Sequence, residues 1–182
     1  MKKYSLLIAL AIVIGAVSSS FIFADKTNEE VTISEVVDQS GLEWFSDFQK
    51  ANEVSKKTGK PIFGFFTGSD WCGWCTRLKQ NVFSKAAFIK WAKEEVILLE
   101  LDFPRRTQLP ANIVKQNREL AQLFKVRGYP TVWIFNTVKN AQTKQVSINA
   151  WGSTGYPQGA VAGKEELKFL ADMERIFATQ KK

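Results

Sequence analysis

The chain of 182 residues holds two cysteines and no histidine. Both cysteines lie in Thr67-Gly68-Ser69-Asp70-Trp71-Cys72-Gly73-Trp74-Cys75. A Cys-x-x-Cys pair can cycle between dithiol and disulfide, can stay closed as a staple, or can supply half of a metal site. A staple closing so short a loop is worth only about 2 kcal/mol by loop entropy, against about 3 for fifteen residues. Tetrahedral structural zinc takes four sulfur or nitrogen ligands, and the chain offers no histidine and no further cysteine. Redox chemistry is therefore the use that the pair fits best, and neither a metal nor another cofactor is expected.

The setting supports that chemistry. Lys60-Pro61-Ile62-Phe63-Gly64-Phe65-Phe66 reads as a short buried strand, mostly apolar and opened by a proline. Beyond Cys75 the period changes: Leu78, Val82 and Phe83 share a helical face, with Arg77, Lys79 and Gln80 elsewhere. The cysteines thus stand where a strand hands over to a helix. Unpaired N–H groups and the macrodipole at a helix start favour a thiolate, which places Cys72 as the attacking sulfur and Cys75, one turn on, as the resolving one. Asp70, just before the helix, is expected to cap it.

Around this centre the composition is that of an ordinary globular protein, 45% hydrophobic and 24% charged, with enough chain for one core. The formal charge of +7 falls to +5 without Lys2 and Lys3, and no basic run interleaved with aromatics appears, so nucleic acid is not an expected partner. Residues 1–24 carry two lysines, an apolar run and a small residue at Ala24. They read as an export signal; the uncharged stretch from Tyr4 is also long enough to remain as a membrane anchor. Either outcome puts the cysteines outside the cytoplasm, in the bacterial periplasm as first choice. Residues 25–40 form a polar spacer, and residues 41–182 one domain.

Within that domain, Leu42, Phe45, Phe48, Ala51 and Val54 recur at helical spacing and predict a helix over 41–58, stopped by Gly59. Trp44 beside that stripe is expected in the core. Ser84 is the expected cap of a helix over 85–95, followed by a central strand over 96–103 and a helix over 112–124. Pro130 stands at the entrance of a strand over 132–135, a place where a sheet accepts a residue without an N–H; trans is the commoner isomer of such a bond. A strand over 145–151 completes a hairpin, Gly152 to Pro157 form a loop, and a last helix over 164–178 presents Leu167, Leu170, Ala171, Glu174 and Phe177 near one face.

Trp71-Cys72-Gly73-Trp74-Cys75 at a strand-to-helix turn, followed by Gly128-Tyr129-Pro130-Thr131 before a hairpin and final helix, resembles the thioredoxin superfamily over roughly Leu42 to Ala178. The resemblance is to its exported members with a Cys-Gly-Trp-Cys active site. It implies an α/β thioredoxin fold, a central mixed sheet flanked by helices, here with an extra N-terminal helix. It also implies Cys72 as exposed nucleophile, Cys75 as resolving thiol, and a cis Pro130 packed against the disulfide. Tyr129 would pair with the substrate chain through its backbone, and Trp71, Gly73 and Trp74 would complete the docking surface. One departure is clear: the buried aspartate that the family carries six residues before its first cysteine is here Phe66, leaving Asp70, Glu100 and Asp102 as possible acids.

The expected function is that of an exported thiol-disulfide oxidoreductase, a reductase of disulfide-containing protein substrates recharged by a membrane-embedded electron donor. Without a histidine between the cysteines, no imidazolium stabilises the thiolate, so Cys72 is expected to titrate nearer to about 7 than to about 4, with a potential toward the reducing end of the family range. An isomerase or oxidase, or a non-catalytic peptide-binding module, are the alternatives.

Overall fold

The structure is a computed structural model and describes residues 36–37, 40–143 and 145–180. The expected signal or anchor over 1–24 and most of the spacer over 25–40 lie outside the described residues. Among those described, no helix is long and apolar enough to cross a membrane.

A six-stranded mixed sheet forms the centre, with β1 (Val36–Val37), β2 (Glu43–Phe45), β4 (Ile97–Asp102), β3 (Ile62–Thr67), β5 (Thr131–Lys139) and β6 (Val146–Thr154) side by side in that order. Its interior is the parallel pair β3 and β4, in register from Ile62 opposite Ile97 to Thr67 opposite Asp102. Every residue of β3 is buried, as a central strand covered on both faces requires. Antiparallel β5 and β6 extend the sheet on one side. On the other lie β2, parallel to β4, and the short β1 at the edge.

Alternation along the strands sorts the core into two layers. Phe63, Phe65 and Leu98 face one way, against Phe83, Phe88, Phe169 and both cysteines. Ile62, Phe66, Leu99 and Leu101 face the other, against Ala51, Leu120 and Phe124. The first layer is an aromatic lattice in which Phe83 stacks on Phe88 at 4.7 Å and meets Phe65 edge-on at 5.0 Å. Each such buried ring is worth about 1.5–3 kcal/mol in apolar transfer alone, so the cysteine helix rests on a strongly stabilised, aromatic part of the core.

That helix, α2 (Gly73–Leu78), runs on into a π-helical segment, Lys79–Phe83, and buries Leu78, Val82 and Phe83 as the sequence pattern predicts. α3 (Ala86–Glu95) follows, with Lys85 rather than Ser84 at its cap position; the Ser84 hydroxyl instead donates to the Gln80 carbonyl of the preceding turn. α4 (Ala111–Leu123) joins β4 to β5, and α5 (Glu165–Ala178) closes the chain.

Several expected boundaries move. The helix predicted over 41–58 is α1 (Phe48–Thr58), between β2 and β3, and no helical addition precedes it among the described residues. Asp47 caps it by accepting from the Gln49 and Lys50 amides. Phe45 is buried by strand geometry instead, because β2 has Trp44 in one core layer and Phe45 in the other, and Leu42 is buried just before the strand on the Trp44 side. β5 runs further than predicted and takes in residues 137–139 of the connection between the hairpin strands, and β6 takes in residues 152–154, half of the expected loop. In α5 the buried residues are Phe169 and Met173, while Leu167 of the expected stripe is exposed.

Candidate active site

The site grows from the end of β3. The Gly68 carbonyl accepts from the amides of Trp71 and Cys72, closing a turn that ends the strand and starts α2. Cys72 is itself the N-cap: its backbone is extended, and its Sγ accepts the Cys75 amide at 3.2 Å. The two cysteines form a disulfide with their Cα atoms 5.3 Å apart. Cys72 is 7% exposed and Cys75 2%, so both are buried, Cys72 the less so, and it is more sheltered than an exposed nucleophile was expected to be. Gly73, between them, is exposed and opens on empty space.

Asp70 does not cap α2. Its carboxylate reaches across to the loop after β4 and accepts from the backbone amides of Arg105, Arg106 and Thr107, at 2.7–3.2 Å. These bonds, that of Arg105 foremost, hold its pKa below the usual carboxylate value. The neighbouring Asp102 accepts from the Ser69 amide and hydroxyl, at 2.8 and 2.5 Å. Two carboxylates thus stitch the cysteine turn to the carboxyl end of β4, the part of an open α/β sheet where sites form.

Trp71 is set into this stitching. Its Nε1 donates to the Phe103 carbonyl at 2.8 Å, the Arg105 guanidinium lies 4.0 Å over its ring, and Tyr129 meets it edge-on at 5.7 Å. Gly68 makes room for the ring, since a Cβ there would fall inside the indole. Tyr129 also lies against Phe103; burial, with a smaller contribution from Asp102, pushes its phenol pKa up. The Tyr129–Pro130 bond is cis, as the resemblance implied. Across the Pro130 carbonyl lies Gly155, where a Cβ would approach it to 3.1 Å, so the loop after β6 closes on the proline loop.

On the opposite flank Trp74 packs edge-on against Tyr156 at 4.9 Å, beneath the Arg77 guanidinium at 4.7 Å. The Asn81 amide donates to the Tyr156 hydroxyl at 2.9 Å. Cys72, Cys75, Trp71, Gly73, Trp74, Tyr129 and Pro130 therefore belong to one end of the sheet.

Of the acids considered for proton transfer, Glu100 is paired with Lys79 at 3.0 Å and Asp102 is held by Ser69. Phe66 lies in the other core layer, away from the cysteines. Sequence reasoning missed Arg105, Tyr156, Gly68 and Gly155. Only Gly68, directly before the motif, and the Gly-Tyr-Pro at 155–157 carried any signal, as turn residues.

Residues 48–147 match the thioredoxin-like domain family. The disulfide bond reductase DsbH of Chlamydia pneumoniae is 32% identical over 117 residues, 64% of this chain and 69% of that protein. The thioredoxin-related protein DsbJ of the same organism is 30% identical over 93 residues, which are 51% of this chain but only 27% of DsbJ. Among solved structures, a DsbH oxidoreductase superposes with a TM-score of 0.60 at 27% identity, over 74% of this chain and 83% of that one. A thioredoxin from Thermus thermophilus does so at 0.50 and 16% identity, over 74% and 86%, and speaks for the fold alone. With the family match spanning more than half of its length and the Cys72–Cys75 disulfide at the start of α2, the chain belongs to the thioredoxin-like family and is a thiol-disulfide oxidoreductase.

Proposed function

We propose that the protein reduces disulfides in exported protein substrates, with Cys72 as nucleophile and Cys75 as resolving thiol. The Cys72 thiolate attacks one sulfur of the substrate disulfide; that bond breaks, the leaving sulfur takes a proton, and a mixed disulfide remains. Cys75, deprotonated, then attacks the Cys72 sulfur and expels the second substrate thiol. Two electrons have passed to the substrate, and the protein is left with the Cys72–Cys75 disulfide, which a membrane-embedded dithiol donor returns to the reduced state.

The observation that carries the reductase direction is the N-cap position of Cys72. Its sulfur accepts a backbone N–H, which favours a thiolate moderately, and the Gly73-Trp74 dipeptide brings no imidazolium to favour it strongly. A strongly oxidising member needs its reduced form to be the stabilised one. Similarity to a protein named disulfide bond reductase supports the same direction. The docking surface would be Trp71, Gly73, Trp74 and the Tyr129 backbone beside Pro130. Export would be served by residues 1–24, cleaved or kept as an anchor, leaving 25–40 as spacer and 41–182 as the working domain, with the periplasm as its place.

The test is a redox equilibrium of residues 25–182 against a glutathione buffer series, read by alkylation. A potential of about −230 to −270 mV, between glutaredoxin and thioredoxin values, is expected; one of about −120 to −180 mV would reject the reductase in favour of an oxidase or isomerase. The roles of the sulfurs have their own check. Cys75→Ser should accumulate a mixed disulfide with substrate, visible by mass spectrometry, whereas Cys72→Ser should form none.

A further inference from the structure

The arginines are unevenly distributed. Four of the chain's six, Arg77, Arg105, Arg106 and Arg127, lie in the segments that border the disulfide, and all four are exposed. Among the described residues none of them is in an ion pair. The acids in the same segments are already committed: Asp70 to three backbone amides and Asp102 to Ser69. The segments Lys125–Thr131 and Gly152–Gln158 contain no acid at all. The rim of the site is thus a set of guanidinium groups outside any ion pair, of which only Arg106 lies in the field of Asp70, around two half-exposed indoles.

Two of these groups are also positioned. Arg105 lies over Trp71 at 4.0 Å on a loop that the Asp70 carboxylate clamps, and Arg77 lies over Trp74 at 4.7 Å, so each indole beside the cysteine pair carries a guanidinium. Stacking on a ring face leaves the in-plane N–H donors of a guanidinium free, and a carboxylate takes those donors two at a time.

We infer that the substrates of this site are polypeptides with aspartate or glutamate close to the disulfide cysteine, on one or both sides, read by Arg77 and Arg105. The indoles hold the chain around the cysteine while the guanidinium groups pair with carboxylates flanking it. Arg106 and Arg127 add to the field that steers such a segment in. This rests on the reductase reading and adds a substrate class to it.

The experiment uses the reduced protein and three disulfide-linked peptides that differ only in the residues flanking cysteine: glutamate, glutamine or lysine. Their rates of reduction are compared at low and at high salt. At low salt the glutamate peptide should be reduced roughly five- to tenfold faster than the glutamine peptide, the size expected of a few exposed ion pairs acting together. The lysine peptide should be slowest, and high salt should compress the series. Arg77→Gln with Arg105→Gln should lower the glutamate-to-glutamine ratio to about one third or less of its original value. Equal rates for the three peptides, or a ratio that survives both substitutions, would overturn the inference and leave the reductase intact. Failure to reduce any of the peptides would sink the reductase reading, and the inference with it.

Discussion

Trp71 and Trp74 flank the same disulfide, and both are exposed, 37% and 50%, yet they are held in opposite ways. Trp71 is tied at every edge: its Nε1 to the Phe103 carbonyl, one face to Arg105, its rim to Tyr129, its underside to a glycine that leaves room for it. These partners come from three separate stretches of chain, so the indole joins the cysteine turn to the β4 loop and the cis-proline loop. Trp74 donates no hydrogen bond among the described residues and touches the half-buried Tyr156 and the exposed Arg77. Two residues of one type, three positions apart, are thus scaffold on one side of the sulfur and contact surface on the other. What separates them is the number of backbone segments each one fastens, not exposure.

Removing Trp71 should produce the largest effect. Trp71→Ala loses a partly buried indole and a hydrogen bond, and about 2–3 kcal/mol of unfolding free energy should go with them, read by denaturant titration. Gly68→Ala reaches the same ring from beneath and should cost about 1–3 kcal/mol, as overpacking does. In the Trp71→Ala background the glycine substitution should cost under about 0.5 kcal/mol, because the clash has been removed. A glycine effect that persists without the indole would show that Gly68 serves its own backbone, and the comparison would lose one of its supports.

The two flanks also differ in how far the sequence reveals them. The cysteine turn is legible because its signals are local: an apolar strand, two cysteines, and a change of period within a single stretch of chain. Phe103, Arg105, Tyr129 and Tyr156, the distant partners of Trp71 and Trp74, come from loops at least 32 positions away, where polarity has no period and side-chain identity says little about neighbours. Asp70 shows the same limit. An acid just before a helix looks like its cap, and only the fold reveals that Cys72 holds that position and that Asp70 faces another loop. The misplaced start of α1 has a different cause. Leu42, Phe45 and Phe48 are spaced by three, which a helix would use, but a strand buried on both faces accepts any apolar residue. In α5 the apolar residues allow more than one stripe, and docking chose the one through Phe169 and Met173.

The clamp beneath the Trp71 flank should respond to pH with a definite sign. The Arg105, Arg106 and Thr107 amides lower the Asp70 pKa in the folded protein, so the charged carboxylate favours the folded loop. That contribution is complete above the ordinary carboxylate range and is lost as the pH falls through the lowered value. Amide exchange at residues 105–107, measured by NMR, should therefore show protection at pH 6 that fades toward pH 3. Asp70→Asn should abolish this difference, since an amide oxygen is a weaker acceptor and its NH2 faces the same donors. Protection that ignored both the pH and the substitution would mean that Arg105 is placed by something other than Asp70.

Trp74→Ala should be the mildest of these changes for the fold and should act mainly on substrate. Half of the ring already faces water, and Tyr156 keeps its hydrogen bond from Asn81 when the indole goes. Exposed cation–π contacts are worth only about 0.5–1 kcal/mol, and Arg77 recovers part of that by rehydration. The loss of stability should be under about 1 kcal/mol, at most half of that at Trp71. On the proposed docking surface Trp74 would be an aromatic platform for the peptide, and truncating it should raise the KM for a peptide disulfide several-fold, about 1 kcal/mol of contact. A stability loss at Trp74 as large as that at Trp71 would abolish the distinction between scaffold and surface. A KM that did not move would leave Trp74 exposed without a partner and shift peptide binding to the Tyr129 side.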